Sequence, residues 1–570
     1  MKKIFISIIL TFIAAIVVVF GISIFKRSDY VAKTQSSTEM DKVWNVALAN
    51  YVNEKEVDVI VDGEVLDGTV TSDSYMNDSM GMMFTKEGIR EAFDCSVNVY
   101  DDTLLSIEKG ENSVELYLDS NEMIADEEEV ALDHPAIRLN DNIYVPAEVV
   151  EKGFGYSYEW NSKELSASFT RGENTTDLPA YYNLAEKEKI SDTKNQESLG
   201  ACWAFAALGS VESSLMPEET EDFSEDHMLY NSGFGLDPEE GGDYIMSIAY
   251  LTSWKGPVAE EDDPYGDGES NPELEAIRHV QEVKMIDRKD YVSIKKMIFK
   301  YGAVESSIYM GLIDASTIDD RYYNEYTSSY CYPGETNPNH EISIIGWDDN
   351  YPKENFNQHV MNDGAFICQN SWGTHFGDNG IFYVSYEDGV IGTCSEAYTR
   401  IEDIDNYDNI YQYDSCGWIG RVGFNKNHAY FSNVYQAEGN ETLKAVSFYA
   451  TGKNTTYAVY VDTDYAGDGN IHISGEPLVK GKVKYSGYYT IDLNSNIDLN
   501  LGQKFAVIVE IDTPGSSHPI AMEMNADDMR TGTVVLDGKD SYISNDGKNW
   551  ENTQENSGCN VCLKAFTVGR

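Results

Sequence analysis

The most uniform apolar stretch lies at the start of the chain. Ile4 to Phe25 is 22 residues without a charge, and Lys26-Arg27 follows it. A helix rises about 1.5 Å per residue, so this run is long enough to cross a bilayer core. A secretory signal peptide normally has a shorter apolar region and a small-x-small cleavage site, for which Gly21-Ile-Ser23 is a weak candidate. We therefore predict an uncleaved signal anchor with most of the chain extracellular; cleavage would instead give a secreted protein.

Short alternating runs follow, from Val57 to about Phe169, of which Ser113–Leu118 is an example. Alternation of apolar and polar residues with period 2 is typical of half-buried strands. Near the end of this region a strand ends at Pro146, a short amphipathic helix follows, and Gly155 stops the helix before another strand. The pattern predicts a small α+β domain.

After about residue 405 the helical periodicity disappears and strand patterns dominate. Five runs read as strands: Thr442–Tyr449, Thr456–Val461, Tyr488–Leu493, Phe505–Ile511 and Val561–Phe566. Gly-rich turns separate them, which favours an antiparallel β-sandwich. The chain as a whole is therefore predicted to be a multidomain α+β protein.

The region between these two blocks mixes helical and strand patterns and holds the candidate chemistry. Cys202 opens a helix-favouring run, so its sulfur would lie at the positive end of a helix dipole, which lowers a thiol pKa. His340 opens an apolar strand, Asn370 opens the run Asn-Ser-Trp-Gly, and Gln196 precedes the cysteine by six residues. A thiolate can attack a carbonyl, an imidazole can move the proton, and amides can orient the imidazole and bind an oxyanion. Taken singly, each residue also has a purely structural explanation, such as a buried inert thiol or a turn asparagine.

In this order and with these neighbours, the four residues resemble the papain family of cysteine peptidases. The cysteine and the histidine are 138 residues apart, and about 130–150 residues are typical of that family. The resemblance implies a two-lobed peptidase fold, with a helical lobe and a β-barrel-like lobe. It also implies that Cys202 is the nucleophile, His340 shuttles the proton, Asn370 orients His340, and Gln196 with the Cys202 backbone N–H stabilises the oxyanion.

The resemblance extends beyond these four residues. Phe223–Leu229 resembles the second helix of the family, with Ser224 as the expected N-cap. Gly241 and Gly242 match the glycine pair whose backbone lies against an extended substrate, an approach that a missing Cβ permits. Trp372 matches the indole that shields the histidine–asparagine hydrogen bond.

The departures from the family pattern concern a disulfide and a substrate pocket. Leu199 and Glu239 stand where the family usually has a disulfide pair. Glu341 follows the histidine where a small residue commonly lines the S2 pocket, and Asp243 and Tyr244 would line the same pocket. We hypothesise an acidic S2 pocket that prefers Lys or Arg at P2, because a desolvated carboxylate needs a partner charge. The alternative is that Glu341 turns to solvent or fills the pocket.

The flanking regions resemble other families. The pattern around Pro146 resembles the stalk domain related to the N-terminal domain of copper amine oxidases; no copper is implied, because no histidine cluster accompanies it. An inhibitory prosegment is the alternative for this stretch. The C-terminal block resembles the lectin-like domain of some bacterial surface cysteine proteases, and a cell-surface glycan is a partner implied by that name alone.

The composition of the chain limits the kinds of molecule and metal that it is expected to bind. With 41 Lys+Arg against 97 Asp+Glu, the formal charge is −56, which disfavours nucleic acids and anionic membrane surfaces. Eight cysteines in 570 residues do not form a disulfide framework. Cys559-Asn-Val-Cys562 has the spacing of half a zinc site without a second half, so we predict no metal there. Asp462–Asp468 begins like a calcium loop, but Ala466 stands at a ligand position and no Glu occupies the twelfth, so a solvated acidic turn is the alternative.

Together these features predict five segments: a signal anchor (1–27), a linker (28–55), a stalk-like domain (56–172), a papain-like peptidase domain (176–402) and a lectin-like sandwich (405–570). The predicted function is that of an extracellular, membrane-tethered cysteine endopeptidase that needs no cofactor and acts on surface or secreted proteins or peptides. The alternatives are an inactive peptidase scaffold that serves as a surface adhesin, and a transpeptidase that uses the same triad.

Overall fold

The computed structural model describes most of the chain beyond residue 57. The described residues are 58–61, 64–66, 75–77, 81–100, 103–109, 112–125, 128–139, 142–161, 166–171, 178–314, 317–467, 469–526, 528, 530–536 and 540–570. They divide into two compact units, one up to residue 177 and one from Leu178 to Arg570. Within these ranges no helix has the length and apolar character needed to span a bilayer. The predicted anchor at Ile4–Phe25 lies outside the described residues, as does the linker.

The first unit contains thirteen short strands and two helices among its described residues. They are β1 (Asp58–Val61), β2 (Glu64–Val65), β3 (Tyr75–Asn77), β4 (Gly81–Thr85), α1 (Lys86–Phe93), β5 (Ser96–Tyr100), β6 (Leu104–Lys109), β7 (Asn112–Tyr117), β8 (Glu122–Ala125), β9 (Glu128–Ala131), β10 (Ile137–Leu139), β11 (Asn142–Pro146), α2 (Glu148–Phe154), β12 (Tyr156–Asn161) and β13 (Ser166–Arg171).

The first unit is an α+β assembly, as its alternating pattern predicts. Its strands form three sheets, with the orders β12-β13-β1-β2, β10-β11-β4-β3 and β5 to β9 in sequence. The Thr85 hydroxyl caps α1 by accepting the Gly88 N–H, and Gly155 ends α2 in the left-handed conformation (φ 68°). Phe84, Phe93 and a cluster of aliphatic side chains from both helices are buried together between the elements.

The second unit begins with helices and continues mainly as strands. Its elements up to residue 402 are β14 (Tyr181–Asn183), α3 (Cys202–Leu215), α4 (Glu225–Asn231), α5 (Tyr244–Thr252), β15 (His279–Ile286), α6 (Tyr291–Lys300), β16 (Val304–Ile308), β17 (Leu312–Asp314), β18 (Thr317–Ile318), β19 (Tyr323–Asn324), β20 (Ser329–Tyr330), β21 (His340–Asp348), β22 (Ala365–Gln369), β23 (Ile381–Ser385) and β24 (Ser395–Glu402), with 3₁₀ turns at Ala185–Lys187 and Lys353–Asn355.

The elements after residue 402 are β25 (Asn409–Tyr411), β26 (Gly420–Val422), β27 (His428–Gln436), β28 (Glu441–Ala450), β29 (Thr455–Asp462), β30 (Val479–Val483), β31 (Ser486–Leu499), β32 (Lys504–Asp512), β33 (Ile520–Met524), β34 (Asp540–Ser544), β35 (Trp550–Asn552), α7 (Thr553–Ser557), β36 (Cys559–Val561) and β37 (Leu563–Gly569). Four of the five runs predicted as strands each lie within one strand, and the fifth, Val561–Phe566, is divided at Cys562 between β36 and β37.

The region from 178 to 402 has the predicted two-part construction. Helices α3, α4 and α5 pack through buried side chains such as Trp203, Leu208, Met228 and Leu251. The strands beyond them pair in the order β20-β23-β22-β21-β16-β24-β15, all antiparallel except β20 with β23. Helix α3 packs against β21, where the Ser343 hydroxyl donates to the Ala206 carbonyl at 3.2 Å.

The C-terminal region is a β-sandwich. One layer has six strands in the order β30-β29-β32-β27-β34-β35, and the other is built around β28 with β31, β33 and β37. Large apolar side chains from both layers, including Phe431, Phe448 and Phe505, are buried between them. Alternation along each strand therefore directs one face inward, as the sequence predicts.

Strand pairing continues from the region 178–402 into the C-terminal β-sandwich. Strand β15 pairs on one side with β24 and on the other side with β31, where Glu282 lies opposite Tyr489. The buried cluster around helix α3 also includes Tyr449 and Tyr488 of the sandwich. The two regions thus share a sheet and a core, which fixes one against the other.

Candidate active site

Cys202 is the first residue of helix α3, where the sequence predicts it. The helix carries no acidic residue in its first turn, so nothing there opposes a negative charge on the sulfur. The backbone N–H groups of Trp203 and Glu341 lie near this sulfur and favour its anionic form. The second of these groups lies directly after His340, so the thiol is brought next to the start of β21.

His340 is held by Asn370 and covered by Trp372. Its Nε2 is 2.8 Å from Asn370 Oδ1, and the indole centroid of Trp372 is 4.7 Å from the imidazole centroid. The Asn370 Oδ1 also accepts the Ser371 N–H at 2.8 Å, which fixes the amide orientation. With Nε2 engaged by the amide oxygen, Nδ1 is the ring nitrogen left to exchange a proton with the thiol.

Gln196 is fixed by the strand-like contact between residues 194–196 and 371–373. Its N–H donates to the Ser371 carbonyl at 2.8 Å, and the Gly373 N–H donates to the Lys194 carbonyl at 3.0 Å. The Ser371 hydroxyl donates to the side-chain Oε1 at 2.6 Å, and Nε2 donates to the Leu199 carbonyl at 2.9 Å. An amide nitrogen carries two hydrogens, so Nε2 retains one for an oxyanion.

Burial disfavours the charged form of Cys202 and the charged form of His340 when only one of the two is charged. It raises the pKa of the Cys202 thiol to about 12, with a further increase from the Glu341 carboxyl, while the two backbone donors act in the opposite direction. Burial lowers the pKa of His340 to about 4, against the effect of the hydrogen bond that its Nε2 donates to Asn370 Oδ1. Each group alone therefore stays uncharged, whereas a thiolate and an imidazolium formed together attract each other strongly in a medium of low dielectric.

The glycine pair lies against the same helix. Gly241 has φ 83°, and a Cβ on Gly242 would come 2.6 Å from the indole Nε1 of Trp203. Gly200 packs just as closely on this loop, since its Cβ would lie 2.6 Å from the Gly241 nitrogen. The Gly200 N–H donates to the Pro238 carbonyl at 3.0 Å. Backbone contact thus joins the two loops at Leu199 and Glu239, where no disulfide connects them.

Glu341 points inward and not to solvent. It is 5% exposed, and its Oε1 accepts the Ser307 hydroxyl at 2.6 Å. Its Oε2 is buried without a hydrogen-bond partner. Tyr244 lies nearby, close to Cys394, a residue that the sequence did not suggest for this region. Of the two alternatives for Glu341, turning to solvent is therefore wrong.

Two further buried carboxyls lie behind Glu341. Glu305 accepts from the Tyr398 hydroxyl at 2.6 Å, and Glu396 lies opposite Glu305 on the neighbouring strand with one buried, unpaired oxygen. Burial raises the pKa of all three carboxyls, that of Glu305 to about 8, and the nearby Glu305 carboxyl raises those of Glu341 and Glu396 further. Sequence reasoning missed both residues because they come from different strands, and only their inward positions in the alternating pattern could have indicated them.

Asp243 does not contribute a free carboxylate to this pocket. Its Oδ1 accepts the Ile245 N–H at 3.0 Å and so caps helix α5. The Arg530 guanidinium, from the C-terminal region, donates to both carboxylate oxygens at 2.7 Å. Arg530 therefore lies beside the site, although no pattern in the sequence indicates it.

The candidate metal segments are compact turns or buried strands. Both oxygens of Asp462 accept backbone N–H groups, from Asp464 and His472, and Asp468 lies outside the described residues. Cys559 and Cys562 are buried free thiols. A calcium ion at the first segment stays a prediction.

Comparison with known families agrees with this geometry. Residues 178–401 match the family described as "Papain family cysteine protease". Residues 178–401 belong to the papain family. Residues 410–567 match "Lectin like domain" and residues 82–168 match "Copper amine oxidase N-terminal domain", so the papain-family domain has the two predicted neighbours.

Curated relatives match a part of the chain about as long as the papain-family domain. Cysteine proteinase 1 of Entamoeba histolytica is 26% identical over 229 residues, which are 38% of this chain and 67% of that protein. The viral cathepsin of Epiphyas postvittana nucleopolyhedrovirus is 28% identical over 226 residues, 39% of this chain and 65% of that protein. The chain therefore spans about two thirds of these relatives.

A solved structure matches a larger part of the chain. It contains the cysteine protease and lectin-like domains of Cwp84, a surface layer associated protein of Clostridium difficile. The two chains are 28% identical with a TM-score of 0.60, and the match covers 69% of this chain and 89% of the other. The chain is thus similar to a two-domain cysteine protease over both domains.

Proposed function

We propose that this protein is a cysteine endopeptidase that hydrolyses peptide bonds of surface or secreted proteins. The observation that supports this most directly is the 2.8 Å hydrogen bond between His340 Nε2 and Asn370 Oδ1, beside the thiol at the start of α3. This hydrogen bond leaves Nδ1 for proton exchange with Cys202. The similarity to the cysteine protease and lectin-like domains of Cwp84, a surface layer associated protein, supports a location of the substrates at the cell surface.

The chemistry follows from these groups. Cys202 transfers its proton to His340 and attacks the scissile carbonyl carbon, while Gln196 Nε2 and the Cys202 N–H bind the oxyanion. The imidazolium then gives its proton to the leaving amine as the C–N bond breaks, which leaves a thioester on Cys202. Water attacks the thioester with His340 as base, and the product carboxylic acid and the free thiol are released.

Covalent labelling tests the nucleophile. An epoxide inhibitor of cysteine peptidases should add once to the full chain, and Cys202→Ala should abolish the addition. The seven other cysteines are an internal control, because six are buried and Cys394 is only partly accessible. If the wild type gains no more mass on treatment with the epoxide than Cys202→Ala does, the peptidase proposal fails and a non-catalytic scaffold is favoured.

We propose further that the S2 pocket prefers Lys or Arg at P2. The unpaired Oε2 of Glu341, supported from behind by Glu305 and Glu396, gains a partner when a cationic side chain enters. Two fluorogenic peptides that differ only in Lys or Leu at P2 measure the preference. Glu341→Gln should lower the Lys-to-Leu ratio of kcat/KM by about tenfold, the usual size for losing one charged partner.

A matched control for this experiment is Glu476→Gln, which removes one exposed carboxylate from a loop of the lectin-like domain. Its Lys-to-Leu ratio should equal that of the wild type, which separates a local effect from the overall charge of −56. Equal cleavage of both peptides by the wild type would contradict an acidic S2 specificity.

The flanking segments are proposed to hold the peptidase at the cell surface. The apolar run at Ile4–Phe25 would anchor the chain, the domain at 82–168 would act as a spacer, and the lectin-like domain would bind a surface glycan. Retention of full-length Cys202→Ala on cell-wall polysaccharide, compared with release by competing sugar, tests the last point. A second candidate function, an adhesin on an inactive peptidase fold, is favoured if that binding occurs without any labelling of Cys202.

A further inference from the structure

The lectin-like domain reaches the substrate-binding side of the peptidase through a short segment. In residues 530–536, the Arg530 carbonyl accepts the Gly235 N–H at 3.1 Å and the Thr533 hydroxyl donates to the Gly233 carbonyl at 2.6 Å. Val534 is buried in the same cluster as Phe234 of the peptidase domain. The segment is therefore packed on the peptidase and not merely near it.

Arg530 is the residue of this segment that reaches the cleft. Its two terminal nitrogens each donate to one oxygen of Asp243 at 2.7 Å, and its guanidinium lies 5.5 Å from the Phe234 ring centroid. The Arg530 side chain is a quarter exposed, and the Asp243 side chain is a third exposed. A bidentate pair fixes the orientation of the carboxylate as well as its charge, because the two donors are coplanar.

Asp243 connects this ion pair to the wall of the cleft. It follows Gly241-Gly242 directly, and it caps helix α5. The helix starts with Tyr244, which reaches Cys394 beside the inward carboxyl of Glu341. Movement of the Asp243 carboxylate would therefore displace both the glycine pair and the Tyr244 wall of the S2 pocket.

We propose that Arg530 is a positioning and specificity residue through which the lectin-like domain completes the S2 side of the peptidase cleft. It holds the cap of α5 in place and neutralises Asp243, so that the Glu341 carboxyl, which ionises when a cationic side chain lies beside it, is the group that selects the P2 side chain. This inference rests on the proposed peptidase function and on its S2 specificity. It makes the lectin-like domain a part of substrate selection in addition to any glycan binding.

The first test uses the full chain and the peptides with Lys or Leu at P2. In Arg530→Ala the Asp243 carboxylate loses its partner, so KM for the Leu peptide should rise about fivefold, the usual size for residues in direct contact, with little change in kcat. The Lys peptide should lose less, because the freed carboxylate adds a second acidic partner. In Asp243→Asn, which keeps a good N-cap, the unpaired guanidinium should disfavour the Lys peptide instead.

The opposite shifts of the two single variants distinguish positioning from general damage. The double variant Arg530→Ala with Asp243→Asn should restore a Lys-to-Leu ratio near that of the wild type, although a raised KM persists. Arg421→Ala is the matched control, because Arg421 is an exposed arginine of the same domain that stacks on Trp418. If Arg530→Ala leaves both KM and the ratio within twofold of this control, the inference is wrong.

A second test does not depend on turnover. Hydrogen exchange of the amides in residues 241–247 should be faster in Arg530→Ala than in the wild type, and Arg530→Lys should lie between them, since lysine keeps the charge but not the bidentate geometry. If the wild type cleaves no peptide, the proposed function fails while the exchange data still decide the positioning role. Unchanged exchange in Arg530→Ala would overturn that role.

Discussion

In the candidate site, some donor and acceptor atoms already have a hydrogen-bond partner in the protein, and others are left for the substrate. The side-chain Oε1 of Gln196 accepts a hydrogen bond from the Ser371 hydroxyl, and Nε2 donates one of its two hydrogens to the Leu199 carbonyl. His340 Nε2 is filled by Asn370. On Gln196 and His340, the groups that remain are one amide hydrogen and one imidazole nitrogen, and acyl transfer from a peptide requires both.

Removing the glutamine side chain should therefore affect the reaction more than the fold. Gln196→Ala should lower kcat/KM by about a hundredfold, because one oxyanion donor is lost. Ser371→Ala should lower it by about fivefold, since the amide is still present but less well oriented. Steady-state kinetics with one peptide, calibrated by epoxide titration of Cys202, measures both. An unchanged rate in Gln196→Ala would contradict its role as an oxyanion donor.

Local motifs explain why the sequence revealed some of these residues and not others. Cys202, His340 and Asn370 each stand at the first position of a recognisable run, and the structure starts α3 and β21 at the first two of them. Arg530 contacts a residue 287 positions away, and no short-range pattern marks such a contact. The same holds for Glu305 and Glu396, which only the pairing of β16 with β24 brings together.

At the scale of elements, three strands place carboxyl groups on one buried face. Glu305 of β16, Glu341 of β21 and Glu396 of β24 all point toward the helical side, because residues two apart on a strand share a face and Tyr398 and Ser343 do the same. Burial raises the pKa of these carboxyls above that in the unfolded chain. The folded state therefore binds more protons there than the unfolded state does.

This arrangement makes stability depend on pH in a defined direction. The contribution of a raised carboxyl is complete below the unfolded pKa of about 4.3 and is lost as the pH rises toward the folded value, which is about 8 for Glu305. Relative to the wild type, Glu341→Gln should thus become more stable between pH 5 and pH 8, by about 1–3 kcal/mol. Denaturant unfolding at both pH values measures the difference.

The comparison between variants is essential, because the total charge of −56 also changes with pH. Glu476→Gln, on an exposed loop, controls for the loss of one charge. A stability difference between Glu341→Gln and the wild type that is the same at pH 5 and pH 8 would mean that Glu341 is not held in its protonated form.

At the scale of the whole second unit, the peptidase and lectin-like domains are joined by β15 and β31. Gly487 lies in this junction with φ 143°, opposite Lys284, and a Cβ there would come 2.1 Å from the Val283 carbonyl oxygen. A side chain at this position would push the two strands apart. The shared burial of Tyr449 and Tyr488 would be disturbed together with the strand pair.

Gly487→Ala should accordingly lower the melting temperature of both domains together. The expected loss is about 2–4 kcal/mol, from the strained φ and the backbone clash. Gly475→Ala is the matched control, since Gly475 also has a positive φ (76°) but open space around its Cβ. Calorimetry and tryptophan fluorescence should each show one unfolding transition for the two domains. Separate transitions for the two domains would contradict a shared core.

The pairing of β15 with β31 also sets an order of events during synthesis. The Met285 carbonyl accepts the hydroxyl of Ser486, a residue 201 positions later in the chain. When the ribosome has completed the last strand of the papain-family domain, one edge of that domain still lacks its neighbour and part of its core is open. The thiol of Cys202 thus enters a finished environment only after most of the lectin-like domain has been made.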